Sequence, residues 1–249
     1  MTNFKPDQLN GARSLIQDGL KLSSHHTLLL LYQRELTNAA KCIEEAANRL
    51  DVQVDAREFT REDFWNGYPE AFSPDKLTTS TVKPSGIVLL IEWSEKTTKA
   101  RLKLVTDLQN EAQPWRVASM PGVDLDTLSF CSSDFSSIKE YSLAAFIIVA
   151  RSILATLTTE NPLGKKDVLN IPLEKKYCPI ISTGEIDASS WGNIPSGETF
   201  VVPDEYAAQG WVTVRGSIPH RPLNLDEWIR FEVKRGRINH SSIKASTPE

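Results

Sequence analysis

In the first half of the chain, short apolar runs alternate with segments of helical period. This rhythm restricts the fold more than any other feature. The runs are "HHTLLLLY" (25–32), "VQVDAREF" (52–59), "GIVLLIEW" (86–93) and "WRVASMPG" (115–122). The first and third are continuously apolar, the pattern of a strand buried on both faces. Between them, Leu36, Ala39, Ala40, Ile43, Ala46, Ala47 and Leu50 keep a spacing of three and four, and so do Ala100, Leu104, Val105, Leu108 and Ala112. Each set predicts an amphipathic helix. A further helix opens the chain, marked by Leu9, Ala12, Leu15, Ile16 and Leu20. Strands alternating with helices predict an α/β fold with a parallel sheet flanked by helices.

The pattern changes after "YSLAAFIIVA" (141–150), which stops at Arg151 and is too short to span a bilayer. Its continuous apolarity predicts a buried helix. From about Ala155 the signals are short strands punctuated by Pro and Gly: "ATLTTE", "DVLNIPL", "TFVVP", "GWVTVRGSI" and "WIRFEVKRGRI". They predict a C-terminal section of short, mostly antiparallel strands. It includes a hairpin that turns at Arg235-Gly236. The expected organisation is a single α/β domain over residues 1–249. Residues 1–155 form the helix-covered parallel sheet, 156–240 the strand-rich section, and 241–249 a frayed polar tail.

Charge and cysteine content narrow the function classes. A net charge of −4 argues against a general nucleic-acid grip. The three cysteines, Cys42, Cys131 and Cys178, form no CxxC pair, and the N-terminus has no apolar signal core. Free thiols in a reducing cytoplasm, with no membrane association, are the expectation. No HExxH, Gly-rich phosphate loop or GxSxG elbow occurs. "NPLGKKD" (161–167) lacks the first glycine and the final Ser or Thr of a phosphate loop and reads as a polar turn. Neighbouring His25 and His26 precede a strand, where adjacent side chains face opposite ways, so they are poor joint metal ligands. His220 and His240 have no third ligand fixed beside them. Asp124, Asp126 and Asp134 stand before the apolar helix, where capping accounts for them. Of the six tryptophans, Trp191, Trp211 and Trp228 fall in the last sixty residues or so, as core or as the lining of a groove.

The segment "GNIPSGETFVVPDEYAAQGWVTVRGSI" (192–218) carries the pattern Asn-x-Pro-x-Gly-Glu-x-Phe-x-x-Pro. It resembles the thermophilic metalloaminopeptidases of the aminopeptidase T type. The Ala-rich helix, "RVASMPGVDLDTL", the apolar helix and "TLTTENPLGKKDV" follow the order of that family's N-terminal α/β domain, so the likeness extends over nearly the whole chain. The resemblance implies that Glu198 matches the first ligand of a two-metal site whose other ligands come from a C-terminal catalytic domain. This chain ends soon after "FEVKRGRIN", with no sequence left for that domain. A lone carboxylate does not hold a hydrolytic metal, which needs three or four protein ligands. No metal, no other cofactor and no catalytic residue is therefore expected.

Freestanding chains of this shape resemble the peptide-binding proteins of crocagin-type ribosomal peptide pathways. That resemblance implies a non-catalytic accessory protein that presents a precursor peptide to modifying enzymes. Trp191, Asn193, Ile194, Pro195 and Glu198 would line the peptide site, and the partner would be a second copy or a related chain. The alternative is a metal-dependent aminopeptidase, or a related metalloenzyme, completed by a partner chain; metal content separates the two.

Overall fold

The computed structural model describes residues 4–78, 84–111, 113–132, 134–174, 177–218 and 221–247. Its elements in chain order begin with α1 (Pro6–Ser14), β1 (Thr27–Gln33), α2 (Thr37–Arg49), β2 (Gln53–Phe59), α3 (Pro74–Thr78) and β3 (Gly86–Ile91). Then come α4 (Glu95–Asn110), β4 (Arg116–Pro121), α5 (Phe135–Arg151), β5 (Leu154–Glu160), β6 (Lys166–Pro172), β7 (Ile180–Ser182) and β8 (Ser190–Asn193). The rest are β9 (Glu198–Phe200), β10 (Gln209–Val214), β11 (Ser217–Ile218), β12 (Arg221–Pro222), β13 (Ile229–Lys234) and β14 (Arg237–Ala245). The α/β class read from the sequence is the class observed. A five-stranded parallel sheet runs β2-β1-β3-β4-β8, and a separate antiparallel sheet runs β14-β13-β10-β6-β5.

Two compact units divide the chain: Met1–Ser142 with Ser182–Glu198, and Leu143–Ile181 with Thr199–Glu249. The first holds the parallel sheet between two apolar layers. On one face, Leu28 and Leu30 of β1 and Val88 and Leu90 of β3 pack with Leu15 and Ile16 from the helical continuation of α1 and with Ile43 and Ala47 from α2. On the other, Leu29, Leu31, Ile87 and Leu89 pack with Leu104, Val105 and Leu108 of α4 and with Phe59, Phe64 and Phe72. β3 is buried along its whole length, as its unbroken apolar run requires. Alanines at 39, 40, 46 and 47 give α2 a low face that seats it close to the sheet.

The strand β8 departs from the sequence reading. It lies in the stretch assigned to antiparallel strands, yet it pairs parallel with β4 in the register Arg116↔Ser190, Val117↔Trp191, Ala118↔Gly192 and Ser119↔Asn193. The chain thus returns to the first unit and adds an edge strand to its sheet.

The second unit carries few buried apolar side chains: Leu169, Val212 and Val233 form its cluster. A polar knot supplements them. Asp167, buried at 4% exposure, accepts two hydrogen bonds from the Arg230 guanidinium at 2.7 and 2.9 Å. It also accepts from Thr213 Oγ1 at 2.8 Å and Asn161 Nδ2 at 3.2 Å. The hydrogen bonds from Arg230, foremost, pull its carboxyl down to about 2, and Arg230 lies 3.9 Å from the centre of the Trp211 ring. The "NPLGKKD" turn expected from the sequence is the β5–β6 connection, where Asn161 accepts the backbone N–H groups of Leu163 and Lys165. The hairpin at Arg235-Gly236 also stands as expected, with φ of 50° and 71° at the two turn residues. Glycine is required at the second, because a Cβ there would lie 1.5 Å from the Glu205 carbonyl oxygen.

The apolar helix expected to be buried is instead half uncovered. Phe135 and Ser142 are its buried residues, whereas Tyr141, Leu143, Ile147 and Ile148 are exposed. A run without a polar face has no periodicity to show which side is covered, so only tertiary packing decides it. Among the described residues no helix is long and apolar enough to cross a membrane.

Candidate ligand site at the carboxyl edge of the parallel sheet

In open α/β sheets, ligands bind outside the carboxyl ends of the strands, where the strand order reverses. Here the order reverses between β1 and β3. The protein's own side chains fill that position. Gln33 is fully buried, so its amide needs partners. It donates to Glu35 Oε2 at 2.8 Å and to Glu92 Oε2 at 3.1 Å, and its Oε1 accepts the Glu92 N–H at 3.2 Å. Arg61 pairs with Glu92. The Gln33 amide, foremost, holds the Glu35 carboxyl below the ordinary range.

The next position along the edge, at β4 and β8, is arranged differently. Ser119 is fully buried and accepts a 2.6 Å hydrogen bond from Nη1 of Arg101 on α4. Arg101 itself is only 8% exposed. Burial lowers its pKa, and among the described residues no charged neighbour opposes that effect. Asn193 sits in register with Ser119, two residues beyond Trp191, which packs against the α4-side apolar layer. Paired residues of adjacent strands share a face, so Asn193 belongs to the Arg101 side of the sheet.

Past β8 the backbone turns through a cis Ile194–Pro195 bond into Ser196 and Gly197. Ile194 is buried among the residues of the α1/α2 layer, where it packs and is not presented to solvent. Asn193, Pro195 and Glu198 are exposed. Ser196 and Ser182 join hydroxyls at 2.6 Å, which ties the two ends of the segment that returns to the first unit. Gly197 has φ of 139°, in the region that favours glycine, and a Cβ there would press Ile138 at 3.1 Å. Among the described residues, no hydrogen bond or ion pair reaches the Glu198 side chain. The turn N–H groups therefore do not use it as an acceptor.

The other sequence candidates settle into local roles. Asp124 accepts the Thr127 N–H at 2.8 Å, and Asp134 accepts the Ser136 N–H at 3.0 Å, so both cap helical turns. The bonds from Thr127 to Asp124, and from the Ser137 hydroxyl to Asp134 at 2.7 Å, pull the two carboxyls below their ordinary range. His26 Nδ1 accepts the Ser23 N–H at 3.0 Å, closing the turn before β1. His240 is exposed on β14, and His220 lies outside the described residues. Among the described residues, no group of three or more His, Cys, Asp or Glu side chains is placed to hold a metal ion.

Sequence reasoning reached Trp191 and Asn193 but missed Arg101 and Ser119. In "KARLKLV", Arg101 stands one residue past the apolar Ala100 and looks like another surface charge. The signal that could have found it is Ser119, a polar residue inside an apolar strand run.

No family model matches the chain, and no curated protein matches it. Among solved structures the chain is similar to wild-type AmpT from Thermus thermophilus. The TM-score is 0.56 at 13% identity, over 99% of this chain and 73% of that one, a likeness of fold.

Proposed function

We propose that this chain is a non-catalytic peptide-binding protein built on an aminopeptidase-like fold, and that it presents a precursor peptide to modifying enzymes of a ribosomal peptide pathway. The shared fold with AmpT accords with the aminopeptidase T resemblance of the sequence. The observation that carries the reading is β8. It is an edge strand, paired on one side to β4, and it leads directly into the exposed Pro195 and Glu198. An edge strand offers a row of backbone N–H and C=O groups, and an extended peptide pairs with them by strand addition. Trp191 and Asn193 flank the added strand, Ile194 anchors its end by packing, and Pro195 fixes the exit. Glu198 serves as counter-charge for a basic side chain or N-terminus of the peptide.

The partner is a second copy or a related chain. In the second unit, β5 is one of the two edge strands of the antiparallel sheet, with Leu154 and Leu157 exposed at 47% and 45%. A groove of about 320 Å³ lined by Val149, Leu173, Tyr177 and Val201 belongs to the same unit. Exposed apolar area of this kind is what association covers.

The experiment is recovery of the chain from the producing cells and mass spectrometry of what accompanies it, with metal analysis on the same sample. The reading requires a peptide present in near-equal amount and less than about one equivalent of zinc, iron or manganese after dialysis. Stoichiometric metal with Glu198 among its ligands would establish the metallopeptidase alternative.

A further inference from the structure

We infer that Arg101, Ser119 and Asn193 form an anion pocket at the carboxyl end of β4 and β8, and that its ligand is a carboxylate of the bound peptide. This rests on the peptide-binding reading and deepens it.

Arginine is almost never buried without an anionic partner, because an uncompensated charge in the interior is costly. Arg101 is more than nine-tenths buried, and its hydrogen bond among the described residues is the one to the neutral Ser119 hydroxyl. Arg230 and Arg61, though more exposed, do have anionic partners. Arg230 forks onto Asp167 and Arg61 pairs with Glu92. A guanidinium presents five N–H donors in a fixed fork that matches a carboxylate. One of these is used by Ser119. The sealed unpaired side-chain atoms of the described residues are Arg61 Nε and Arg116 Nε. The remaining N–H groups of Arg101 are not among them, so they keep an opening toward solvent.

Asn193 completes the site. It is exposed and in register with Ser119 on the same face of the sheet, so its amide is placed to add a donor to an anion held there. The charge on Arg101 sets the class of ligand, and its planar fork favours a two-oxygen anion. The position at the end of the edge strand makes a peptide carboxylate the natural occupant. That carboxylate is either the α-carboxylate or an acidic side chain.

The test uses the full chain and three small probes: N-acetyl-alanyl-alanine with a free carboxylate, its amide, and N-acetyl-glutamyl-alanine amide. Millimolar free acid is expected to raise the melting temperature and to shift the Nε–H resonance of Arg101, while the first amide does neither. A response to the glutamyl amide alone would assign the side-chain source; a response to the free acid alone would assign the α-carboxylate. The Arg101→Met chain keeps the stem and removes the charge. It should melt above wild type and lose the carboxylate response. Equal responses to acid and amide, no shift of the Arg101 resonance, or an Arg101→Met chain that melts below wild type would overturn the inference. A co-purified peptide that binds wild type and Arg101→Met equally would sink this pocket but leave peptide binding standing. Carboxylate binding in a chain that never carries peptide would do the reverse.

Discussion

The substitution Asp167→Asn removes the charge at the centre of the second unit and leaves the shape. Asp167 holds Arg230 by two bonds and also takes Thr213 and Asn161, in a unit whose buried apolar cluster is Leu169, Val212 and Val233. Its carboxyl is pulled from 3.8 to about 2, chiefly by the hydrogen bonds from Arg230. At 1.36 kcal/mol per unit, that shift corresponds to about 2.5 kcal/mol of differential stability. Removing one partner of a buried pair costs about 3–5 kcal/mol. The Arg230 side chain is 22% exposed, so water compensates part of that. We expect a loss of about 2–3 kcal/mol at neutral pH, where the folded-state carboxylate is fully charged. The folded pKa lies below the unfolded one, so in wild type this contribution is complete above pH 3.8 and disappears as pH falls through about 2. Wild type and variant should therefore converge in acid.

Hydrogen exchange read by mass spectrometry on β6, β10 and β13 is the assay, since these strands carry Asp167, Thr213 and Arg230. A tenfold change in exchange corresponds to about 1.4 kcal/mol, so protection should fall by roughly 30-fold or more. A fall of less than about threefold, or a difference that persists unchanged at the lowest accessible pH, would refute the reasoning.

Three further outcomes follow from single contacts. Gly236→Ala should cost about 2–4 kcal/mol in a urea titration, because the turn needs a positive φ and the Cβ has no room beside Glu205. Thiol labelling at mildly alkaline pH should modify the exposed Cys178 rapidly. Cys42 and Cys131, buried and pushed up to about 11 and about 12, should react only when the chain opens. Leu157→Lys, on the free edge strand β5, should shift sedimentation toward the monomer without lowering the melting temperature.

The sequence showed the parallel sheet clearly because β1 and β3 are buried on both faces and their apolar runs are unbroken. Three features escaped it for physical reasons. β8 is the four-residue stretch "SWGN", which has neither alternation nor β-branched residues; its place is set by register with β4. The exposure of α5 depends on what covers it. Two of the partners of Asp167, Thr213 and Arg230, stand 46 and 63 residues away, so the turn in which it was read gave no sign of them. In the candidate site, Trp191, Asn193 and Glu198 were legible through a resemblance, whereas Arg101 and Ser119 emerge only when α4 is laid on the sheet.

The most direct measurement of peptide binding is a calorimetric titration with a synthetic copy of the co-purified peptide, run on wild type and on Glu198→Gln. Glu198 is exposed and unpaired among the described residues, so the change leaves the fold untouched. The account predicts one peptide per chain for wild type. For the variant it predicts a loss of about 1–3 kcal/mol in affinity at unchanged melting temperature, the worth of a charge-assisted hydrogen bond. Equal affinity in the two chains, or no saturable binding to wild type, would contradict it.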